Sequence, residues 1–347
     1  MKNKILSFVN EKAISPGSDY NIYQKYLRSI FRKNRDLKKV LDVLYKQQVK
    51  SGFIRRDVLK YVNNISKIKT KSGRVLCYLQ HNPPRAKRGI SPKKNPNPIN
   101  ILPGKNIPCF CCEENIKVQW PKERGFTVKI NREQYIFYAN PAPIFNNHFV
   151  LVSKKHKPMK MDIAILARVM RKLPGMCVAQ NGPGAGASNP WHFHLQILKG
   201  DFPIEQTKAK KVYTKNLGKN TQIKIEELDY PFHVLRIKFA RLNRDTVKYL
   251  QELQDKYLAL DKNNRLTYMG KKKAAGDYEI YFTLRNIKNK TKLYSESVGF
   301  PEPLGFLCTP YTKEKKAWLS GGHKRYGRLL RDLNVSDELY KKFITVF

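Results

Sequence analysis

The sequence predicts an α+β fold, an antiparallel sheet with packed helices, preceded by a basic helical region. Three observations predict it. After residue 120, short runs of alternating apolar and polar residues recur between turn residues, the mark of half-buried strands. Apolar residues at helical spacing fill separate stretches before and between those runs. With 41% hydrophobic residues in 347, the chain can bury a sizeable core.

Residues 17–82 contain no proline. Tyr26, Ile30, Leu37, Leu41 and Leu44 form a helical stripe there, and Arg32, Lys33, Arg35, Lys38 and Lys39 lie between its members. One helix is expected over 21–49 and a second over 54–65. An exposed stripe of that size would invite aggregation, so it should pack on the main domain. An arm that recruits a polyanion is the alternative. Residues 82–108, rich in Pro and Asn, should form an extended, irregular connection. "GFTVKI" and "QYIFYA" flank Asn131-Arg132-Glu133 and read as a hairpin, and "HFVLVS" as a strand. "MDIAILARVMRKL" is a helix with Ile163, Leu166, Val169 and Met170 on one side, and "MCVAQ" is a strand. "FHVLRIKF" is a strand, "RDTVKYLQELQDKYLAL" a helix and "DYEIYFTLRNIK" a strand. The last helix is expected over about 325–346.

The formal net charge is +41, from 68 Lys and Arg against 27 Asp and Glu. Such a field suits a polyanionic partner, nucleic acid included. The surplus spreads over the whole chain, so a compositional bias accounts for it equally well. No 18-residue apolar window appears, so no membrane helix is expected. The start, "MKNKILSFVNEK", lacks a secretory apolar core and cleavage site. A cytoplasmic location is expected, with an organellar transit peptide left open. Three of the six cysteines fall in "CFCC". Free or metal-bound thiols in a reducing compartment are expected.

The most informative stretch is "NGPGAGASNPWHFHLQIL", residues 181–198. In a strand, Phe193, Leu195 and Ile197 would face a core while His192, His194 and Gln196 share the other face. The preceding loop is too rich in glycine for a helix. Its backbone suits close approach to an anion.

The element order and the ending His-x-His-x-Gln resemble the histidine-triad superfamily, in its galactose-1-phosphate uridylyltransferase and diadenosine-tetraphosphate phosphorylase branch. "LQHNPPR" (79–85), "CFCCEENIKVQ" (109–119) and "NPAPIFNNHFVLVSKKHKP" (140–158) match one corner of it, near the GDP-hexose phosphorylases and their bacterial relatives. The resemblance implies a histidine-triad-like domain over 76–310, in two halves of about 76–200 and 201–310. It leaves 1–75 as the basic helical region and 311–347 as a basic C-terminal helical segment.

The resemblance also implies nucleotidyl transfer through a covalent histidine intermediate. His194 would be the nucleophile, Gln196 a donor to a phosphate oxygen, and His192 its partner in the pair. Gly184, Gly186 and Ser188 would cradle the phosphates, with Arg85, Asn140 and Asn181 as further nucleotide or phosphate ligands. Hydrolases of the superfamily usually carry a third histidine where this chain has Gln196, which favours transfer or phosphorolysis. Cys109 and Cys112 form C-x-x-C, a chelating spacing. In uridylyltransferase-like relatives two histidines complete a structural zinc site, and the matching positions are His156 and His192. Cys111 is a possible competitor, and His148 reads as a structural histidine. No organic cofactor is implied.

The expected activity is a nucleotidyltransferase or phosphorylase on a nucleotide sugar or dinucleoside polyphosphate. Two alternatives stay open: a histidine-triad enzyme acting on a nucleic-acid 5′ end, or a basic nucleic-acid-binding protein on this fold.

Overall fold

The computed structural model describes residues 18–86, 93–218, 221–273, 276–345 and 347. The chain opens with helices α1 (Ser18–Asn34), α2 (Leu37–Lys50) and α3 (Arg56–Lys60). Strands β1 (Ile65–Lys69) and β2 (Val75–His81), a 3₁₀ turn (Pro83–Ala86), β3 (Ile101–Leu102) and β4 (Ile107–Pro108) follow. Next come α4 (Glu113–Gln119), β5 (Gly125–Ile130), β6 (Glu133–Ala139) and β7 (Phe149–Ser153). After α5 (Ile163–Lys172) run β8 (Cys177–Asn181) and β9 (His194–Leu198). The remainder is β10 (Ala209–Asn216), β11 (Gln222–Leu228), β12 (Val234–Phe239), α6 (Arg244–Ala259), β13 (Asn264–Lys272), β14 (Tyr278–Asn286), β15 (Phe306–Thr309), α7 (Thr312–Leu333) and α8 (Asp337–Ile344).

Two compact units share the chain. The first takes residues 1–63, 84–159 and 191–198; the second takes 64–83, 160–190 and 199–347. The expected boundary after residue 75 falls inside β2.

In the first unit β5, β6, β7 and β9 pair antiparallel in that order. The N-terminal helices pack on this sheet. Tyr23, Leu27, Leu37, Val40, Leu41, Leu44 and Tyr45 are buried. Phe31 meets Phe126, and Tyr45 meets Phe149 edge-on at 5.7 Å. Buried amides fix the register: Gln24 Oε1 accepts from Thr127 N–H at 3.2 Å, and Gln48 Oε1 from Arg124 N–H at 3.0 Å. The expected packing role of this region therefore holds. Its buried stripe is displaced from the expected one, since Tyr26 and Ile30 are only half-buried.

In the second unit β10, β11, β12, β14, β13 and β8 pair antiparallel in that order. A separate sheet joins β1 and β2 antiparallel, with β15 parallel to β2. α5 begins at an Asp162 cap that accepts from Ile165 N–H at 2.9 Å, and α6 at an Asn243 cap that accepts from Thr246 N–H at 2.9 Å.

Several expected elements are corrected. The helix over 21–49 is two helices, because Arg35 adopts φ 54° and Asp36 caps the second. The helix over 54–65 shrinks to α3, and its end enters β1. The connection over 82–108 is not wholly irregular: it holds the 3₁₀ turn and the β3–β4 pair. The turn after β5 is two residues long, Asn131 and Arg132, both at positive φ, as a tight hairpin turn demands. The last helix is two: α7, kinked at Gly322 (φ 48°), and α8, capped by Ser336. The expectation for the chain start falls on residues 1–17, outside the described residues. No helix among the described residues is long and apolar enough to cross a membrane.

Candidate active site

Strand β9 positions the central histidine. Leu195 and Ile197 are fully buried on one face. On the other, His194 pairs opposite Val152 and Gln196 opposite Val150. His192 precedes the strand, held by its neighbours: Phe193 N–H donates to Lys157 O at 2.8 Å and Ser153 N–H to Phe193 O at 3.0 Å. The expected shared face thus holds for His194 and Gln196, while His192 sits beyond the strand end.

Each histidine ring is oriented by one bond to a backbone carbonyl, which only a ring N–H can donate. His194 Nδ1 lies 2.9 Å from His192 O. That places the proton on Nδ1 and leaves a lone pair on Nε2. Burial holds His194 below the ordinary histidine range, although its bond to His192 O opposes this. The ring is therefore neutral near pH 7. His192 Nε2 lies 2.7 Å from Ser153 O, so its Nδ1 carries the free lone pair.

That lone pair points into a cluster. His192 Nδ1 is 3.4 Å from Cys109 Sγ and 3.7 Å from Cys112 Sγ. His156 Nδ1 is 3.3 Å from Cys112 Sγ. The four ligand atoms of Cys109, Cys112, His156 and His192 lie within 4.8 Å of one another, a group that could hold a metal ion. Hydrogen bonds from Cys111 and Cys112 hold the Cys109 thiol far below the usual thiol range. Cys112 is pushed up by its bond to that thiolate and by burial.

Neighbouring side chains shape this turn. Asn115, fully buried, donates to Cys109 O at 3.0 Å and Ile99 O at 2.7 Å. Asn100 Nδ2 donates to Cys112 Sγ at 3.3 Å. Tyr20, Ile116, Ile136, Tyr138 and Val152 pack around the cysteines. Cys111 lies in that apolar cluster and outside the four-residue group.

A second network surrounds Gln196. His148 Nε2 is 2.8 Å from Gln196 Oε1. Asn140 Oδ1 accepts from Ala142 N–H at 2.9 Å, and its Nδ2 is 3.4 Å from His148 Nε2. The Arg85 guanidinium donates to Ala142 O. Burial pushes the His148 pKa down to about 4, with the Arg85 charge adding to it. Arg85 and Asn140 thus join Gln196 around His148. His148, expected as a structural histidine, instead contacts Gln196. One signal was available: it stands two residues before Val150, the partner of Gln196, hence on the same face of the sheet.

In the second unit the glycine loop is held internally. Ala185 N–H donates to Gly182 O at 2.9 Å, and Arg265 Nε–H to Pro183 O at 3.0 Å. Gly184 (φ 75°) and Ser188 are exposed. Gly186 takes φ 91° and lies against Val298 and Gly299. Asn181 anchors the loop, donating to Gly186 O at 3.3 Å and accepting from Phe300 N–H at 2.8 Å. Arg265 brackets this loop from β13, a strand that the sequence reading did not identify.

The fold defines the class. The chain superposes on yeast Ap4A phosphorylase Apa2 with a TM-score of 0.53 at 14% identity, covering 84% of this chain and 96% of that one. The Apa2 complex with Ap4A gives 0.52, also at 14% identity, over 84% of this chain and 98% of that one. The fold is thus the α+β antiparallel fold of that phosphorylase. A family model described as a domain of unknown function (DUF4922) matches residues 44–199. Galactose-1-phosphate uridylyltransferase of Caldanaerobacter subterraneus is 24% identical over 300 residues, 72% of this chain and 57% of the relative. That of Clostridium perfringens is 21% identical over 402 residues, 99% of this chain and 75% of the relative. That of Lactococcus lactis is 24% identical over 241 residues, 61% of this chain. The chain spans 57% and 48% of the length of the first and last of these. The chain is thus similar in sequence to galactose-1-phosphate uridylyltransferases and shares the fold of Ap4A phosphorylase Apa2.

Proposed function

We propose that the protein is a nucleotidyltransferase or phosphorylase that passes a nucleoside monophosphate through His194. The observation that carries this reading is the His194 ring: neutral, tied through Nδ1–H to His192 O, with its Nε2 lone pair free. A neutral imidazole is a good nucleophile and a fair leaving group. Nε2 attacks the α-phosphorus of the donor, and the bond to the leaving phosphate or phosphosugar oxygen breaks with its electron pair. An acceptor phosphate oxygen then attacks the same phosphorus, and the P–N bond breaks, returning the pair to Nε2. Gln196 donates its amide to a non-bridging oxygen as charge shifts. Asn140 and Arg85 border that donor. The loop with Gly184, Gly186 and Ser188 offers backbone and hydroxyl donors to phosphates, and Asn181 holds that loop in shape. The donor class is a nucleotide sugar or a dinucleoside polyphosphate, as the names of the relatives suggest.

Zinc fits the thiolate–imidazole group. Bond lengths of about 2.3 Å to sulfur and 2.0–2.1 Å to nitrogen give tetrahedral edges of roughly 3.3–3.8 Å. Three of the separations, 3.3, 3.4 and 3.7 Å, fall in that range. All four positions would be filled by protein, so the metal would be structural. Its role would be to fix His192, and through the His192 carbonyl the ring of His194.

The test is incubation with a panel of labelled nucleotide sugars and dinucleoside polyphosphates, then addition of inorganic phosphate or a sugar phosphate. Label should stay on the protein after the first step and leave as a nucleotide product after the second. The His194→Ala variant should take up none. Turnover by that variant at more than about a hundredth of the parent rate would reject the mechanism.

A further inference from the structure

We propose that His148 is the positioning residue for Gln196: its Nε2–H donates to Gln196 Oε1 and so turns the Gln196 NH2 group toward the substrate phosphate. This rests on the covalent reading of His194. The tautomer follows from the backbone. Ile144 N–H lies 3.3 Å from His148 Nδ1, and a peptide N–H can only donate. Nδ1 is therefore the acceptor and the ring proton sits on Nε2. Nε2 in turn faces Gln196 across 2.8 Å. A donor there selects the amide oxygen of Gln196 as its partner.

The geometry leaves one consistent arrangement. Asn140 Nδ2 sits 3.4 Å from the same Nε2. Two donors cannot bond each other, so the close Gln196 contact takes the proton and Asn140 keeps its NH2 group for another acceptor. Its Oδ1 is already taken by Ala142 N–H. His148 and the Asn140 backbone are locked together, since Asn140 N–H donates to His148 O at 2.8 Å. His148 is buried and Gln196 half-buried. The ring is thus a fixed support for an amide that is itself partly exposed. A free glutamine presents oxygen or nitrogen with little preference. Presenting oxygen to a phosphate would repel it.

The experiment measures adduct formation per active site in the full chain, with stoichiometry fixing the active fraction. It compares the parent, His148→Phe, His148→Gln, Gln196→Ala and the His148→Phe/Gln196→Ala double variant. Losing one preorganised donor typically costs on the order of 100-fold in rate. His148→Phe should approach the loss of Gln196→Ala, with KM little changed, and the double variant should lose no more than about threefold beyond the worse single variant. His148→Gln, which keeps a donor, should recover most of the rate. A nitrogen NMR spectrum of the parent should show His148 protonated at Nε2 and bare at Nδ1. Additive losses, failure of His148→Gln to recover, or a proton on Nδ1 would each overturn the positioning role while leaving the covalent reading intact. A parent that takes up no label would remove the covalent reading and this role with it.

Discussion

Replacing Gly186 with alanine tests whether the glycine loop is seated as described. A Cβ at that position would lie 2.3 Å from Gly299 Cα, 2.5 Å from Val298 O and 2.7 Å from Gly299 N. All three are backbone atoms, so no rotamer change relieves the overlap. The φ of +91° adds strain for any L side chain, about 1–2 kcal/mol. Forcing the 298–299 segment aside adds about 1–3 kcal/mol, as overpacking does elsewhere. The expected loss is about 2–5 kcal/mol, or a fall in Tm of about 5–15 °C for a domain of this size. Gly184→Ala is the control. Its Cβ would meet only the Ile287 Cγ2 methyl at 3.0 Å and Arg265 Nε at 3.9 Å, both parts of side chains, so its cost should be mainly the backbone strain. Thermal and urea unfolding of the two variants against the parent gives the answer. A Gly186→Ala protein as stable as Gly184→Ala would refute the seating of this loop.

Four further outcomes are expected. Purified protein should carry about one zinc per chain, and Cys112→Ser should lower both metal content and Tm; metal-free protein with unchanged melting would return the cysteines to ordinary core residues. Burial holds His148 near a pKa of about 4, against about 6.5 unfolded. Acid therefore favours the unfolded chain: this contribution, about 3 kcal/mol, is complete above pH 6.5 and lost as pH falls toward 4, and His148→Phe should flatten that part of the stability profile. Deleting residues 18–50 should give insoluble protein, because Phe126, Phe149 and Tyr138 lose their cover; a soluble, active remainder would contradict the packing. KM should shift little between about 50 and 200 mM salt, whereas a substrate held through several nucleic-acid phosphates would lose on the order of 10³-fold in affinity.

Legibility in the sequence followed the strength of the local pattern. β5, β6, β7, α5, α6 and β14 were readable because their sequences carry an unbroken alternation or a helical stripe, whether one face is buried or, as in β14, nearly all of the strand. The N-terminal helices were readable as helices but not as two, since Arg35 gives no hint of a left-handed turn. β10 escaped notice because all but one of its residues are exposed and no alternation marks it. β13 escaped because it is buried along nearly its whole length, and Thr267, Gly270 and Lys271 interrupt the apolar run. In the site, spacing pointed to Cys109 and Cys112 and the family resemblance to His156 and His192, and the structure brings those four together. Spacing said nothing of hydrogen bonds that cross strands. The His148–Gln196 contact, the Ser153 carbonyl beneath His192 and Arg265 beside Pro183 depend on register, which no single segment encodes.

The most direct measurement is the mass of the protein after brief exposure to a nucleotide donor and quenching above neutral pH, where a phosphorus–nitrogen bond survives. The account predicts one nucleoside monophosphate per chain, mapped to the peptide carrying His194, lost on mild acid and absent from His194→Ala. Turnover of the same donor with no adduct, or an adduct on any other residue, would contradict it.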